Sequence, residues 1–144
     1  MVVFVAALFL AGCKSQHKAE ADRLVPPFIK ESFTPLGCPS SRAGRQTTVG
    51  AEGCLEVRIL RIDSLLNVRA KAVFGLLRDR PAKAKFVAAE RAWHAYREAT
   101  CASVADIYRG GTAEPVAVAA CKLARNRIHL REVAAFEQSL RHLG

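Results

Sequence analysis

The sequence lacks the short motifs on which most enzyme active sites are built. It contains no Gly-x-Ser-x-Gly, no His-Glu-x-x-His, no P-loop and no dinucleotide-binding fingerprint. Its 13 acidic residues are dispersed, and Glu56 and Asp63, which share a helix face, are better explained by salt bridges to nearby arginines. We therefore predict that the protein is not an enzyme and uses no cofactor.

The spacing of metal ligands is missing as well. No Cys-x-x-Cys occurs, and the four histidines show no ligand spacing relative to one another or to the cysteines. They are His17, His94, His129 and His142. We predict no metal site.

The sequence also has no apolar run of membrane-spanning length at its start. Residues 1–12 are uncharged, but they are too few to cross a bilayer as a permanent helix and have the length of a signal-peptide core. No Lys or Arg precedes this run, so the usual positive region is absent. The run ends in Leu10-Ala11-Gly12-Cys13, which resembles the lipobox of bacterial lipoproteins, whose cysteine is acylated before cleavage.

These residues predict a lipoprotein signal peptide over residues 1–12 and lipidation at Cys13. A buried N-terminal helix is the alternative. The acylated protein would be anchored by its lipid in the cell envelope, on the periplasmic or outer-membrane side.

Acidic residues are few: the sequence contains 13 of them and 22 basic residues, which gives a formal net charge of +9. Such a charge favours anionic partners such as lipid headgroups or wall polymers. The basic residues form no run, and no nucleic-acid motif is present, so nucleic acid is not predicted as a partner. Solvated helix faces are the alternative explanation of the charge.

The five cysteines agree with export. With Cys13 assigned to lipid, an even four remain in an oxidising compartment, where disulfides persist. Three connectivities are open to four cysteines, and sequential pairing is the simplest. It joins Cys38 to Cys54 and Cys101 to Cys121.

Composition divides the remainder into a tether over residues 13–37 and a domain over residues 38–144. The tether is polar at first, and Pro26, Pro27 and Pro35 then prevent a continuous helix. Residues 39–53 have a turn-forming composition and are predicted to form a disulfide-closed loop.

Apolar residues then recur at helical spacing in three stretches. They predict helices from about Leu55 to Arg78, from residue 81 to about 104, and from about Pro115 to Leu140. Nothing reads as a strand. The predicted fold is all-α, a small antiparallel three-helix bundle with two local disulfides.

One stretch organises this fold. Trp93 and Tyr96 are predicted core anchors of the second helix, and Arg97 and Glu98 are predicted to orient the helices. Gly110 and Gly111 break that helix and permit a tight turn beside Arg109.

These residues also carry a resemblance to a known family, the LprI-like N-terminal domain of bacterial exported proteins, named after a lysozyme-inhibiting lipoprotein. The resemblance covers roughly residues 38–140 and rests on several uncommon residues in a fixed order. They are Cys54 with Glu56, Asp63-Ser64-Leu65-Leu66-Asn67, Trp93-x-x-Tyr96-Arg97-Glu98-x-x-Cys101, Gly110-Gly111 and Cys121. Two positions differ from the family pattern: Ala70 replaces an aromatic, and Asn126-Arg127-Ile128-His129 replaces Thr-x-x-Arg.

The resemblance implies a helical, disulfide-linked domain at the cell envelope. From the lysozyme-inhibiting lipoprotein that gave the family its name, we predict that the protein binds lysozyme or another cell-wall hydrolase and can inhibit it. The candidate binding residues are Arg109, Gly110 and Gly111, because a cation on a narrow turn can enter a glycosidase cleft between its two carboxylates. A plain interhelical turn with a solvated arginine is the alternative. A net charge of +9 opposes approach to a basic lysozyme, so inhibition must rest on local contacts. The alternative is a non-inhibitory adaptor that binds anionic wall polymer or another envelope protein.

Overall fold

The computed structural model describes residues 29–143, and the predicted signal peptide and Cys13 lie outside them. The described residues contain no strand and form four helices, so the predicted all-α class is confirmed. The helices are α1 (Arg42–Arg45), α2 (Thr48–Leu76), α3 (Arg80–Ile107) and α4 (Glu114–His142). Over this part of the chain, no helix combines the length and hydropathy that a bilayer crossing requires.

The boundary between α2 and α3 follows the prediction from sequence. Leu77 leaves the helical conformation with φ −68° and ψ 127°, and Asp79 caps α3 by accepting a hydrogen bond from the Ala82 N–H at 2.6 Å. Pro81 fits the first turn of α3, where no backbone donor is needed. The predicted break between a helix that ends near Arg78 and one that begins near residue 81 is therefore confirmed.

The Cys38–Cys54 disulfide closes residues 39–53 as predicted, but the prediction that this stretch is a loop is wrong, because α1 and the first turns of α2 occupy most of it. Thr47 caps α2 by accepting a hydrogen bond from the Gly50 N–H at 3.0 Å. The glycines permit close packing inside a helix. A Cβ on Gly50 would lie 1.9 Å from the Gly44 carbonyl oxygen, and one on Gly53 would lie 2.1 Å from that of Gly37. Gly50 and Gly53 therefore allow two backbone segments to approach closely. From composition alone, such glycines cannot be distinguished from glycines that form a turn.

Both predicted disulfides are confirmed. Cys38–Cys54 ties the segment that precedes α1 to α2, and Cys101–Cys121 ties α3 to α4. Cys101 is buried, so the second disulfide forms part of the packed interior as well as a crosslink.

Two apolar clusters form the core, and both lie mainly between α2 and α4. The larger also contains Phe86 from α3. The first cluster is Leu66, Ala70, Val73, Leu77, Phe86 and Val133, and the second is Ile59, Ala119 and Leu123. The predicted apolar positions of the first and third sequence-derived helices supply most of this core.

The two predicted aromatic anchors behave differently. Trp93 is half-buried, packs against the first cluster and stacks on the His129 ring with centroids 3.9 Å apart. Tyr96 is 52% exposed, and the guanidinium of Arg125 lies 5.6 Å from its ring centroid. The prediction of Tyr96 as a core anchor is wrong, because the buried face of α3 is displaced towards Glu90, Arg97 and Cys101.

The described part of the predicted tether, residues 29–37, contacts the helices. Asn67 on α2 accepts a hydrogen bond from the Ile29 N–H at 2.8 Å and donates one to its carbonyl at 3.0 Å. Phe33 packs against the second cluster, and the Leu36 N–H donates to Glu56 at 2.8 Å. This segment therefore belongs to the packed domain, and a separate tether remains a prediction for residues 13–28 only.

Candidate functional site

Arg97 lies at the centre of a buried ionic cluster and is only 1% exposed. Its guanidinium is 2.7 Å from Glu31 and 3.5 Å from Asp63, and it donates a hydrogen bond to the Asn126 side chain at 3.0 Å. We call this group the Arg97 cluster. Its members are Glu31, Asp63, Arg97, Glu98, Lys122 and Asn126.

Four elements of the chain meet in the Arg97 cluster. Glu31 comes from the N-terminal segment, Asp63 from α2, Arg97 with Glu98 from α3, and Lys122 with Asn126 from α4. Lys122 bridges Glu31 at 2.8 Å and Glu98 at 3.1 Å, so a second cation joins the segment to both helices. The prediction that Arg97 and Glu98 orient helices agrees with these contacts. Trp93 borders the cluster, since the Arg97 guanidinium lies 5.6 Å from its ring centroid.

Asp63 is the member whose protonation the fold changes most. Burial raises the pKa of this carboxyl to about 7, although Arg97 acts in the opposite direction, and neighbouring Glu31 adds to the rise. Asn126 donates to Asp63 Oδ1 at 2.5 Å. Asp63 Oδ2 and Glu31 Oε1 are buried and accept no hydrogen bond among the described residues, although Arg97 Nη2 lies 2.7 Å from Glu31 Oε1 as an ion pair. A proton on Asp63 supplies the donor that this pair of oxygens lacks, and it leaves two cations facing two carboxylates.

At the edge of the cluster, the pKa values of Glu98 and His94 are lowered rather than raised. Burial alone would raise the pKa of Glu98, but hydrogen bonds from Arg97 and Lys122 outweigh it, and the pKa is lowered. Burial and the nearby Arg97 lower the pKa of His94, whose Nε2 is 3.2 Å from Arg97. The cluster is therefore a buried, nearly neutral ionic network that holds four elements in place. Within residues 29–143, no group of His, Cys, Asp and Glu has the arrangement of a metal site.

A second polar contact lies at an apolar groove between α3 and α4. His129 Nε2 is 3.1 Å from both carboxylate oxygens of Glu90, and its Nδ1 is 3.2 Å from Glu132. The groove has a volume of about 460 Å³, and Phe86, Val133 and other apolar residues line its walls. Sequence reasoning did not find this contact, because neither residue has a partner at recognisable spacing.

The candidate binding residues form an exposed turn between α3 and α4. Gly110 has φ +77°, a left-handed conformation that glycine adopts without strain, and its N–H donates to Glu114 at 2.8 Å. The Arg109 side chain is 76% exposed and pairs with Asp106 at 2.5 Å. Ile107 and Tyr108 are also exposed, so apolar groups accompany the cation. We call residues 107–111 the 107–111 turn.

The structure thus separates the residues that the sequence singled out into two places. Trp93 lies at the Arg97 cluster, whereas Arg109, Gly110 and Gly111 form the exposed turn that follows α3. The Cys101–Cys121 disulfide lies between the helices on either side of this turn and fixes their separation. The turn is accessible, whereas Glu31, Asp63 and Arg97 at the centre of the cluster are buried.

These features define a small helical domain, crosslinked by two disulfides and organised around a buried arginine. The family model of the lysozyme inhibitor LprI matches residues 38–132, about two thirds of the 144 residues, and the chain belongs to this family. The predicted resemblance is confirmed. No curated protein matches the chain, and no solved structure does. Glu31 lies outside the matched residues, although it completes the ionic cluster.

Proposed function

We propose that the protein is an envelope lipoprotein that binds a cell-wall hydrolase of the lysozyme type and inhibits it through the 107–111 turn. The observation that carries this proposal is membership of the lysozyme inhibitor LprI family over residues 38–132. The prediction that the protein is not an enzyme agrees with membership of a family of inhibitors.

The turn has the physical properties that insertion into a glycosidase cleft requires. A retaining glycosidase presents two carboxylates about 5 Å apart, and a guanidinium can pair with both. The Arg109–Asp106 pair is exposed on both sides, so exchanging it for a partner costs little. Ile107 and Tyr108 add apolar contact area, and the nearby disulfide reduces the entropy lost on binding.

The local charge near the turn reduces the electrostatic obstacle set by the whole domain. Residues 103–121 carry Asp106 and Glu114 but only one base, Arg109, which gives a formal charge of −1 within a chain of +9. The turn segment itself therefore adds no net repulsion of a basic hydrolase, which supports binding through the turn.

Arg109→Ala is expected to weaken inhibition about 30-fold or more, the effect of removing a residue worth about 2 kcal/mol or more at an interface. The measurement is the inhibition constant for lysozyme in a cell-wall lysis assay. Circular dichroism and the melting temperature should be unchanged, because the side chain is exposed. Arg127→Ala is the matched control, since Arg127 is an exposed arginine in the middle of α4.

Two results would contradict this mechanism. One is equal inhibition by the Arg109→Ala variant and the wild type. The other is no inhibition by the wild type at micromolar concentration, in which case the net charge of +9 favours the adaptor function. That function predicts binding to anionic wall polymer that weakens steeply as salt is added.

The proposed location follows from Cys13. Acylation and cleavage before Cys13 would leave 132 residues, 144 minus 12, with a lipid at the new N-terminus. Cys13→Ser is expected to abolish acylation and to move the protein from the detergent phase to the aqueous phase. The mass of the purified protein and its phase partitioning measure both effects, and a mass that differs from the wild type only by the exchange of sulfur for oxygen would show that Cys13 carries no lipid.

We also propose that the three long helices run up, down and up as an antiparallel bundle. In support, contacts between α2 and α4 occur in the same order along both helices, as Asp63 with Asn126 and then Arg69 with Glu137. Contacts between α3 and α4 occur in reverse order, as Phe86 with Phe136 and Cys101 with Cys121. This arrangement puts the 107–111 turn at the end of the bundle where α2 begins.

A further inference from the structure

The outer side of α2 carries apolar and basic side chains that the packing of the domain does not use. Successive residues three and four positions apart lie on one helix face. Val57, Arg61, Leu65 and Val68 follow this spacing, and all four are exposed. We call this surface the α2 outer face. Its members are Val57, Arg58, Arg61, Leu65, Val68 and Lys71.

The charges of α2 are separated between its two sides. Its acidic residues from Leu55 onwards are Glu56 and Asp63, and both are buried against the rest of the domain. The bases Arg58, Arg61 and Lys71 are exposed, and none of them takes part in an ion pair within residues 29–143. Only positive charge therefore faces solvent on this side of the helix.

We infer that the α2 outer face binds the surface of an anionic lipid membrane. Val57, Leu65 and Val68 are 42%, 44% and 63% exposed, and the three bases lie among them. A helix that lies in a membrane interface has this pattern, with apolar side chains entering between headgroups and cations pairing with them. An anionic polymer would use the same cations but would gain nothing from the three aliphatic side chains.

The path of the chain supports a membrane as the occupant. Ile29, the first described residue, pairs through its backbone with Asn67 on α2, so the described part of the chain begins beside this helix. Cys13 lies 16 residues earlier, 29 minus 13, and a chain of that length spans at most about 55 Å. If Cys13 carries the proposed lipid, α2 lies within reach of the leaflet that holds it.

The test uses the chain from residue 13 with Cys13→Ser, so that no acyl chain contributes to binding. Co-sedimentation is measured with vesicles of equal parts phosphatidylglycerol and phosphatidylcholine, and with vesicles of phosphatidylcholine alone. We expect binding to the anionic vesicles only. Each charge is worth about fivefold near such a surface, so Arg61→Glu should lower the partition constant about 25-fold. The matched control Arg127→Glu makes the same charge change on α4 and should have a much smaller effect.

A second variant separates lipid from other occupants. Replacing Val57, Leu65 and Val68 together with serine leaves the charge unchanged, and it should weaken vesicle binding at least tenfold, whereas the control Ile128→Ser on α4 should not. Circular dichroism of each variant shows that the fold is retained. Full vesicle binding by the triple variant would overturn the lipid assignment in favour of a polymer that reads charge alone.

Three other outcomes would also overturn the inference. They are no binding to anionic vesicles, equal loss in Arg127→Glu and Arg61→Glu, and a concentration-dependent dimer that the triple variant abolishes, which would make this face a contact between two copies. Membrane binding is independent of lysozyme inhibition, because the two are tested with variants on different surfaces and with different measurements, vesicle co-sedimentation and cell-wall lysis. Loss of inhibition in Arg109→Ala with vesicle binding intact would separate the two surfaces.

Discussion

Arg97→Ala is expected to lower the free energy of unfolding by about 3–5 kcal/mol, the usual cost of removing one partner from a buried ion pair. The substitution leaves Glu31 and Asp63 buried beside each other without the guanidinium, which lies 2.7 Å from Glu31 and 3.5 Å from Asp63. It also removes the donor to Asn126 at 3.0 Å. The loss is measured by urea denaturation followed by circular dichroism.

The matched control is Arg91→Ala on the exposed side of the same helix, which should change stability by less than about 0.5 kcal/mol. Adding Glu31→Gln and Asp63→Asn to Arg97→Ala should recover part of the loss, because the buried carboxyl groups that lose Arg97 are then replaced by neutral amides. A loss below about 1 kcal/mol in Arg97→Ala, or no recovery in the triple variant, would mean that the cluster does not stabilise the fold in this way.

The helices could be predicted because apolar periodicity and capping residues are local signals. Apolar residues at helical spacing in α2, such as Ile59, Leu66 and Val73, are buried, and Asp79 caps α3. The start of α2 could not be predicted in the same way. Gly50 and Gly53 favour turns by composition, and their helical conformation depends on the close approach of Gly44 and Gly37, which is a tertiary contact.

Of the candidate site residues, the sequence could locate only those of the exposed turn. Gly110 and Arg109 mark an exposed turn that the sequence alone locates. The Arg97 cluster joins residues far apart in the chain, such as Glu31 and Lys122, and no spacing rule links them. Polar residues on buried faces, such as Asn126, break the apolar stripe, so periodicity assigns them to the surface. A partial signal existed, because Asn126 and His129 are among the positions where the chain differs from the family pattern.

The pH dependence of stability should also reveal the protonation of Asp63. Its folded pKa is about 7, above the ordinary value of 3.8, so between these values the folded state binds a proton that the unfolded state has released. Stability from this group is therefore fully present below pH 4 and is lost as the pH rises to 7. The Asp63 side chain is almost fully buried. The difference between its ordinary pKa and its folded pKa corresponds to about 4 kcal/mol of stability.

Other groups titrate in the same range, so the effect is isolated by comparing the wild type with Asp63→Asn. The lowered pKa of His94 opposes Asp63, because its contribution is present above pH 6.5 and is lost as the pH falls. The asparagine variant keeps an acceptor for Asn126 and an amide donor towards Glu31, but it does not titrate. Its stability relative to the wild type should increase from pH 4 to pH 8 by up to about 4 kcal/mol.

Glu98→Gln provides a control of opposite sign within the same cluster. Because the folded pKa of Glu98 is lowered, its contribution is present above the ordinary pKa of 4.5 and is lost as the pH falls. The glutamine variant should therefore be less stable than the wild type at neutral pH and approach it in acid. Urea denaturation across the pH range measures both variants. A stability difference for Asp63→Asn that stays constant between pH 4 and pH 8 would show that Asp63 is ionised in the folded protein, and the cluster would then hold three carboxylates against two cations.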